Sequence, residues 1–312
     1  MEVLTEVDRD RITALRTRDE FFWLDLEAPS AAQLDVVGEL LHLHELALED
    51  TREFGQRPKS DRYEDAVLLV YWTARVAGDH VELVEVHLHI SGGWLFTAHP
   101  APCGELGRLH DVLMAEGTQA EDYIVYRVLD ALTDAMFPVV DAQEARIDAL
   151  EEAVLADPTR HQLGAIYRLK QEVQAVLRRV VPQRDAFPAA TDAILALPGL
   201  SHGSRAYLRD IGDHLAQVTS ELYRQTDDLG ALTSTYFNAN ANRLNRLATR
   251  LTVLATFFLI WTLVTSFFGQ NFKWLTDHIE SLEAFVLYET ICLVLPTVLA
   301  AVYFWRRRKD WL

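Results

Sequence analysis

The stretch LTVLATFFLIWTLVTSFFGQN, residues 251–271, decides how the rest of the chain is read. Residues 251–268 carry no charge, just enough α-helix to cross the apolar layer of a bilayer. The run then stops on a polar triplet, Gly269-Gln270-Asn271. A second apolar run, 284–305, follows with a single acid, Glu289. Either run alone could be a buried core helix, but two in succession predict a membrane hairpin. Arg243, Arg246 and Arg250 precede the hairpin, and Arg306, Arg307, Arg308 and Lys309 follow it. By the positive-inside rule both flanks, and with them both termini, face the cytosol. The triplet then lies at the outer mouth, and the expected location is the cell membrane, crossed twice.

Outward from the hairpin the charge changes sign. The first 242 residues hold 41 acidic and 21 basic side chains, in a chain of 312 residues with net charge -17. Such a region repels phosphate and is not expected to bind nucleic acid, whereas it suits cations. The two cysteines, Cys103 and Cys292, fall in the polar part and in an apolar run, so no disulfide is expected. The start, MEVLTEVDRD, has neither the basic opening nor the apolar core of a secretory signal. The bulk of the chain is therefore expected in the cytosol.

That bulk reads as mixed α and β. FFWLDL, DAVLLVYWTARV, VELVEVHLHI and GWLFTAHP are rich in β-branched and aromatic residues and predict strands. Pro29-Ser30 opens a helix over AAQLDVVGELLHL. Apolar residues at three- and four-residue spacing predict helix from Gln119 to about Leu155, and again from Arg160 to Val181, with Pro182 as its end. His87 and His89 share a strand face with Glu85, yet no ligand spacing supports a metal there, and they read, like His42 and His44, as ordinary structural residues. From Ser201 to Phe268 no proline interrupts the pattern. One helix of roughly 100 Å would run out of the polar region and through the membrane, and it needs neighbours along its length.

One face of that helix is unlike the others. Asn238, Ala241, Asn245, Ala248, Thr252, Ala255, Leu259, Thr262, Ser266 and Gly269 recur at three- and four-residue steps, all small or polar except Leu259. Two readings fit. Small residues let membrane helices pack closely. Several copies could instead surround a water-lined pore, with Leu259 as its apolar constriction.

Along nearly the whole chain, in order, stand WLDLEAP from Trp23, LALED and QRPK from Leu46 and Gln56, LRRVVPQRD from Leu177, and YLRDIGDH from Tyr207. The Gly-x-Asn triplet and the basic end RRRKDWL complete the set. On these residues the chain resembles the CorA family of divalent-cation transporters. The resemblance implies an α+β fold and a homopentamer. It divides the chain into a funnel-shaped cytosolic domain with a helical hairpin (1–200), a stalk helix (201–250) and a pore-lining span (251–268). An external loop (269–283), an outer span (284–305) and a basic tail (306–312) complete it. Asn245, Thr252, Leu259, Thr262 and Ser266 would line the pore, and Gly269, Gln270 and Asn271 would select a hydrated ion.

Magnesium is the expected substrate and regulatory ligand, with cobalt and nickel as lesser substrates. Asp210 and Asp213, three apart on the long helix, would bind the regulatory cation. The family triplet is usually Gly-Met-Asn, so Gln270 departs from it, as members such as the ZntB-type zinc transporters also do. A zinc transporter, coupled to protons, is the alternative, and a non-conducting membrane-anchored sensor is the rival of another class. Lys273 at the mouth would repel cations unless it pairs with Asp277, Glu280 or Glu283. Glu289 is read as reaching headgroups, with proton linkage as the sharper alternative. No P-loop, nucleophile constellation or HExxH appears, so neither enzyme chemistry nor a cofactor is expected. The expected partners are further copies of the chain, lipid and divalent cations.

Overall fold

In the computed structural model residues 2–116, 120–200, 204–270, 273–279 and 281–306 are described. The chain divides into two units, one of residues 1–153 with 159–233 and one of 154–158 with 234–312.

The first unit is built on a six-stranded mixed sheet: β1 (Glu2–Leu4), β2 (Phe22–Glu27), β3 (Lys59–Arg62), β4 (Val67–Ala77), β5 (His80–Ile90) and β6 (Trp94–His99), in the order β1-β2-β6-β5-β4-β3. The edge β1-β2-β6 is parallel and the remainder antiparallel. The four strands expected from composition are β2, β4, β5 and β6. Their aromatic and β-branched residues are covered on both faces: Phe22, Trp23, Leu24, Tyr71, Leu88 and Phe96 are all fully buried. α1 (Arg9–Thr17) and α2 (Ala31–Leu41) complete that core with Ile12, Leu15, Leu34 and Val37, and α3 (Glu45–Arg52) packs Leu48 against it. Ser30 caps α2 as expected, in a reciprocal capping box with Gln33.

Two helical boundaries differ from expectation. The stretch after residue 119 is two helices, α5 (Glu121–Asp134) and α6 (Met136–Ala156), preceded by α4 (Gly104–Glu116). Pro138 falls in the first turn of α6, where a missing N–H costs nothing, and so marks a start inside the apparently continuous pattern. Conversely, α7 runs from Arg160 to Leu195 straight through Pro182 and Pro188. An interior proline costs roughly 3 kcal/mol, but the buried stripe Val176, Val180, Gln183, Phe187, Ala190 and Ile194 continues past both. Gln183 also replaces a strand partner: its Oε1 accepts from the Trp72 N–H at 2.6 Å, and its Nε2 donates to the Trp72 carbonyl at 3.1 Å. Burying that amide on α7 satisfies β4 beyond the end of β3.

The longest helix, α8, spans Arg205–Phe268. In the second unit its apolar end lies beside α10 (Leu282–Arg306), and α9 (Lys273–His278) is a short helical turn within the connection between them. Both α8 and α10 are long and apolar enough to cross a membrane, and none of their apolar windows is buried within the chain.

Candidate functional site

At 3.6 residues per turn, α8 shows two opposite faces between residues 245 and 268. Val253, Phe257, Ile260, Val264 and Phe268 are half-buried. This is the face α10 covers: Phe257 meets Phe304 at 6.2 Å between ring centroids, and Phe268 meets Phe285 at 5.7 Å. Nearby, Trp261 Nε1 donates to Thr297 Oγ1 at 3.0 Å. On the other side Asn245, Thr252, Leu259, Thr262 and Ser266 are all exposed, Leu259 to 69 %. Thr252 and Thr262 donate their hydroxyl protons to the carbonyls of Ala248 and Phe258, at 2.9 and 2.7 Å. Their hydroxyl oxygens keep acceptor capacity for water or an ion. Arg243 is turned to the α10 side of the helix geometry and pairs with Asp157 at 3.1 Å.

Of the triplet, Gly269 closes α8 by donating to the Thr265 carbonyl at 2.9 Å, and the Gln270 N–H reaches Phe267 at 3.3 Å. Asn271 lies outside the described residues. Gly269 does not use a left-handed backbone, so freedom to turn is not why glycine stands there. A Cβ at this position would lie 3.1 Å from the Thr265 carbonyl, so close packing of the helix end is the constraint. Glu289 is half-buried on α10 and Lys273 is exposed on α9.

The first unit holds a second candidate. Asp130 and Asp134 on α5 converge with His214 on α8, one ligand atom from each lying within 4.8 Å of the others. Among the described residues this is the group of three or more His, Cys, Asp or Glu side chains placed to hold a metal ion. His214 Nδ1 lies 3.0 Å from Asp134 Oδ1, close but off the line of a hydrogen bond, and its Nε2 is 3.9 Å from Asp210 Oδ1. Burial and then the Asp134 charge push the Asp130 carboxyl upward, and burial with Asp130 and Asp210 pushes the Tyr126 phenol up to about 12. Crowded carboxylates of this kind gain most from a cation. Asp210 is thus on the rim of the cluster, whereas Asp213 lines a hollow with Arg205, Arg209 and Phe187. Sequence spacing could not have paired α5 with His214, since the ligands lie some 80 positions apart.

The histidines of β5 are occupied by protein partners. His87 Nε2 contacts Glu85 Oε1 at 2.8 Å, and Glu85 also accepts from the Gln56 N–H at 2.9 Å. His89 Nε2 donates to Thr51 Oγ1 at 2.8 Å, because that hydroxyl spends its proton on the Ala47 carbonyl. Burial, helped by His87, drives the His89 pKa down to about 3.

The α+β domain is joined to two helices that are each long and apolar enough to cross a membrane. The chain belongs to the CorA-like Mg2+ transporter family, whose model matches residues 18–308. It is 24 % identical over 284 residues to the cobalt/magnesium transport protein CorA of Thermotoga maritima, covering 88 % of this chain and 79 % of that one. It is 21 % identical over 306 residues to the zinc transport protein ZntB of Yersinia pseudotuberculosis, covering 96 % and 91 %. Its fold is similar to that of the CorA magnesium transporter from Methanocaldococcus jannaschii, with TM-score 0.79 at 19 % identity over 93 % of this chain and 91 % of that one. Family membership and the two apolar helices place the chain in a membrane as a divalent-cation transporter.

Proposed function

We propose that the chain is the subunit of a homopentamer that conducts magnesium, with cobalt and nickel as lesser substrates, along the exposed face of α8. The observation that carries this is the opposition of the two faces of that helix. The apolar face is covered by α10, while the small and polar face (Asn245, Thr252, Leu259, Thr262, Ser266) is exposed, with no cover among the described residues. One helix cannot enclose a path, so copies must supply the other walls. Both termini are on the cytosolic side in this reading. The Gly269-Gln270-Asn271 triplet then stands at the outer entrance, where amide oxygens hold magnesium through its retained water shell. Asp130, Asp134 and His214, with Asp210 at their rim, serve as the regulatory site: a cation bound there relieves the carboxylate crowding and favours the closed state.

A second reading, zinc transport coupled to protons, is supported by the 21 % identity to ZntB and by glutamine at position 270. Purified protein in liposomes separates the two. Magnesium uptake independent of a pH gradient is expected. Zinc uptake that collapses without a gradient would transfer the assignment to the second reading, and no flux of either ion would make the protein a membrane-anchored sensor.

A further inference from the structure

The unit built on the sheet contains a buried charged group that none of the transport machinery uses. Asp25 on β2 is 8 % exposed, and its two carboxylate oxygens face two imidazoles. Oδ1 lies 3.3 Å from Nε2 of His99, at the end of β6, and Oδ2 lies 3.2 Å from Nε2 of His110, on α4. Both are ion-pair contacts, near in distance but off the line of a hydrogen bond. A chain of donors completes the carboxylate: Trp23 Nε1 donates to Thr97 Oγ1 at 2.9 Å, and Thr97 Oγ1 donates to Asp25 Oδ1. The His110 ring meets Trp23 edge-on, 4.3 Å between centroids.

The protonation of His99 follows from its other nitrogen. Nδ1 lies 2.7 Å from the Ala101 carbonyl, which can only accept, so Nδ1 carries a proton. In the neutral ring Nε2 would then be a bare lone pair facing a buried carboxylate, two acceptors opposed at 3.3 Å. A second proton turns that repulsion into an ion pair. His110 has no such constraint, because a neutral ring can present Nε2–H to Oδ2. We propose that Asp25, His99 and His110 form a proton-held clasp, in which a protonated His99 pairs with Asp25 and loss of that proton loosens the seam between β2 and β6.

The other charged and titratable groups around the clasp are Glu27 on β2, Cys103 and Glu105 at the start of α4, and Arg75 on β4. Burial disfavours a charged His99, but Asp25 above all, then the Ala101 carbonyl and Glu27, raise it above the ordinary histidine range. Burial would likewise raise Asp25, yet His110, His99 and Thr97 hold it down at about 2, so it stays ionised throughout. Burial and the nearby acids push the Cys103 thiol up to about 12, leaving it uncharged. Arg75 is committed to Glu82 and to the Pro102 carbonyl. A group that binds its proton more tightly folded than unfolded stabilises the fold below its unfolded value, and that contribution is lost as pH rises through the folded value. The clasp therefore opens on the alkaline side.

Deuterium exchange at the histidine C2 position, followed by mass spectrometry on the full-length protein in detergent, reads each ring in place. His99 should titrate above about 6.5, the free-histidine value, while His89 stays neutral throughout. The thermal midpoint of the same preparation should fall as pH rises above about 6.5, and in His99→Gln, whose amide can donate to Asp25 at any pH, that fall should disappear. A His99 midpoint at or below the free value would overturn the clasp, as would an equal pH slope in the variant. Should His99→Gln fail to fold, the exchange profile of the wild type decides alone.

Discussion

The sheet unit and the hairpin unit solve opposite problems. In the sheet unit the chain supplies its own cover: Trp23, Phe22, Tyr71 and Phe96 are fully buried, the Trp23 indole and the Tyr71 hydroxyl are met by Thr97 and Thr133, and the Trp72 backbone is met by Gln183. In the hairpin unit Leu254, Phe258 and Leu287 are 55 %, 57 % and 58 % exposed, and nothing among the described residues covers them. Water cannot be the solvent of such a surface. The lesson is that folding ends within the chain in one unit, while in the other the apolar surface left exposed suits lipid. Within the hairpin the polar face of α8 is the exception, suited to neither lipid nor α10.

The strongest way to break this comparison is at the outer mouth. Asn271→Ala should abolish magnesium uptake in liposomes while leaving membrane insertion and assembly intact on gel filtration. Wild-type flux in the variant would reduce the triplet to a structural turn. The next test opposes two large apolar residues. Phe96→Ala removes a fully buried ring and should cost about 3–5 kcal/mol of stability in denaturant titration. Leu259→Ala should change unfolding by no more than about 0.5 kcal/mol and change flux instead. Equal losses of stability would mean that Leu259 is a packing residue.

A smaller effect is expected at the cluster on α5. Asp130→Asn with Asp134→Asn should raise the internal magnesium needed to halve the flux by roughly tenfold, the equivalent of about 1.4 kcal/mol of binding. An unchanged inhibition curve would remove the cluster from gating. The smallest concerns the seam between the spanning helices. Trp261→Phe deletes the hydrogen bond to Thr297 and should cost only about 0.6 kcal/mol in detergent unfolding, with flux preserved.

The two units were also unequally legible in the sequence. The spanning helices, the polar face of α8 and the strands β2, β4, β5 and β6 announce themselves through local composition. β1, three residues long, and β3, which reads KSDR, do not, because neighbouring strands rather than their own side chains make them strands. The passage of α7 through two prolines was hidden for the same reason: the offsetting burial and the bond from Gln183 to Trp72 are long-range. The cation cluster and the Asp25 clasp each join elements distant along the chain, so spacing alone shows Asp210 and Asp213 but misses Asp130, Asp134, His214, His99 and His110.

The central claim is that one face of α8 meets water and the opposite face meets α10. Single cysteines placed along residues 245–268 test it most directly, in a background where exposed Cys292 and buried Cys103 are replaced by serine. A hydrophilic, membrane-impermeant thiol reagent should modify cysteines at Thr252, Leu259, Thr262 and Ser266 and block magnesium flux. The same reagent should leave those at Val253, Phe257, Ile260 and Val264 unmodified and flux intact. Equal labelling of the two sets, or block from the second set alone, would contradict the account.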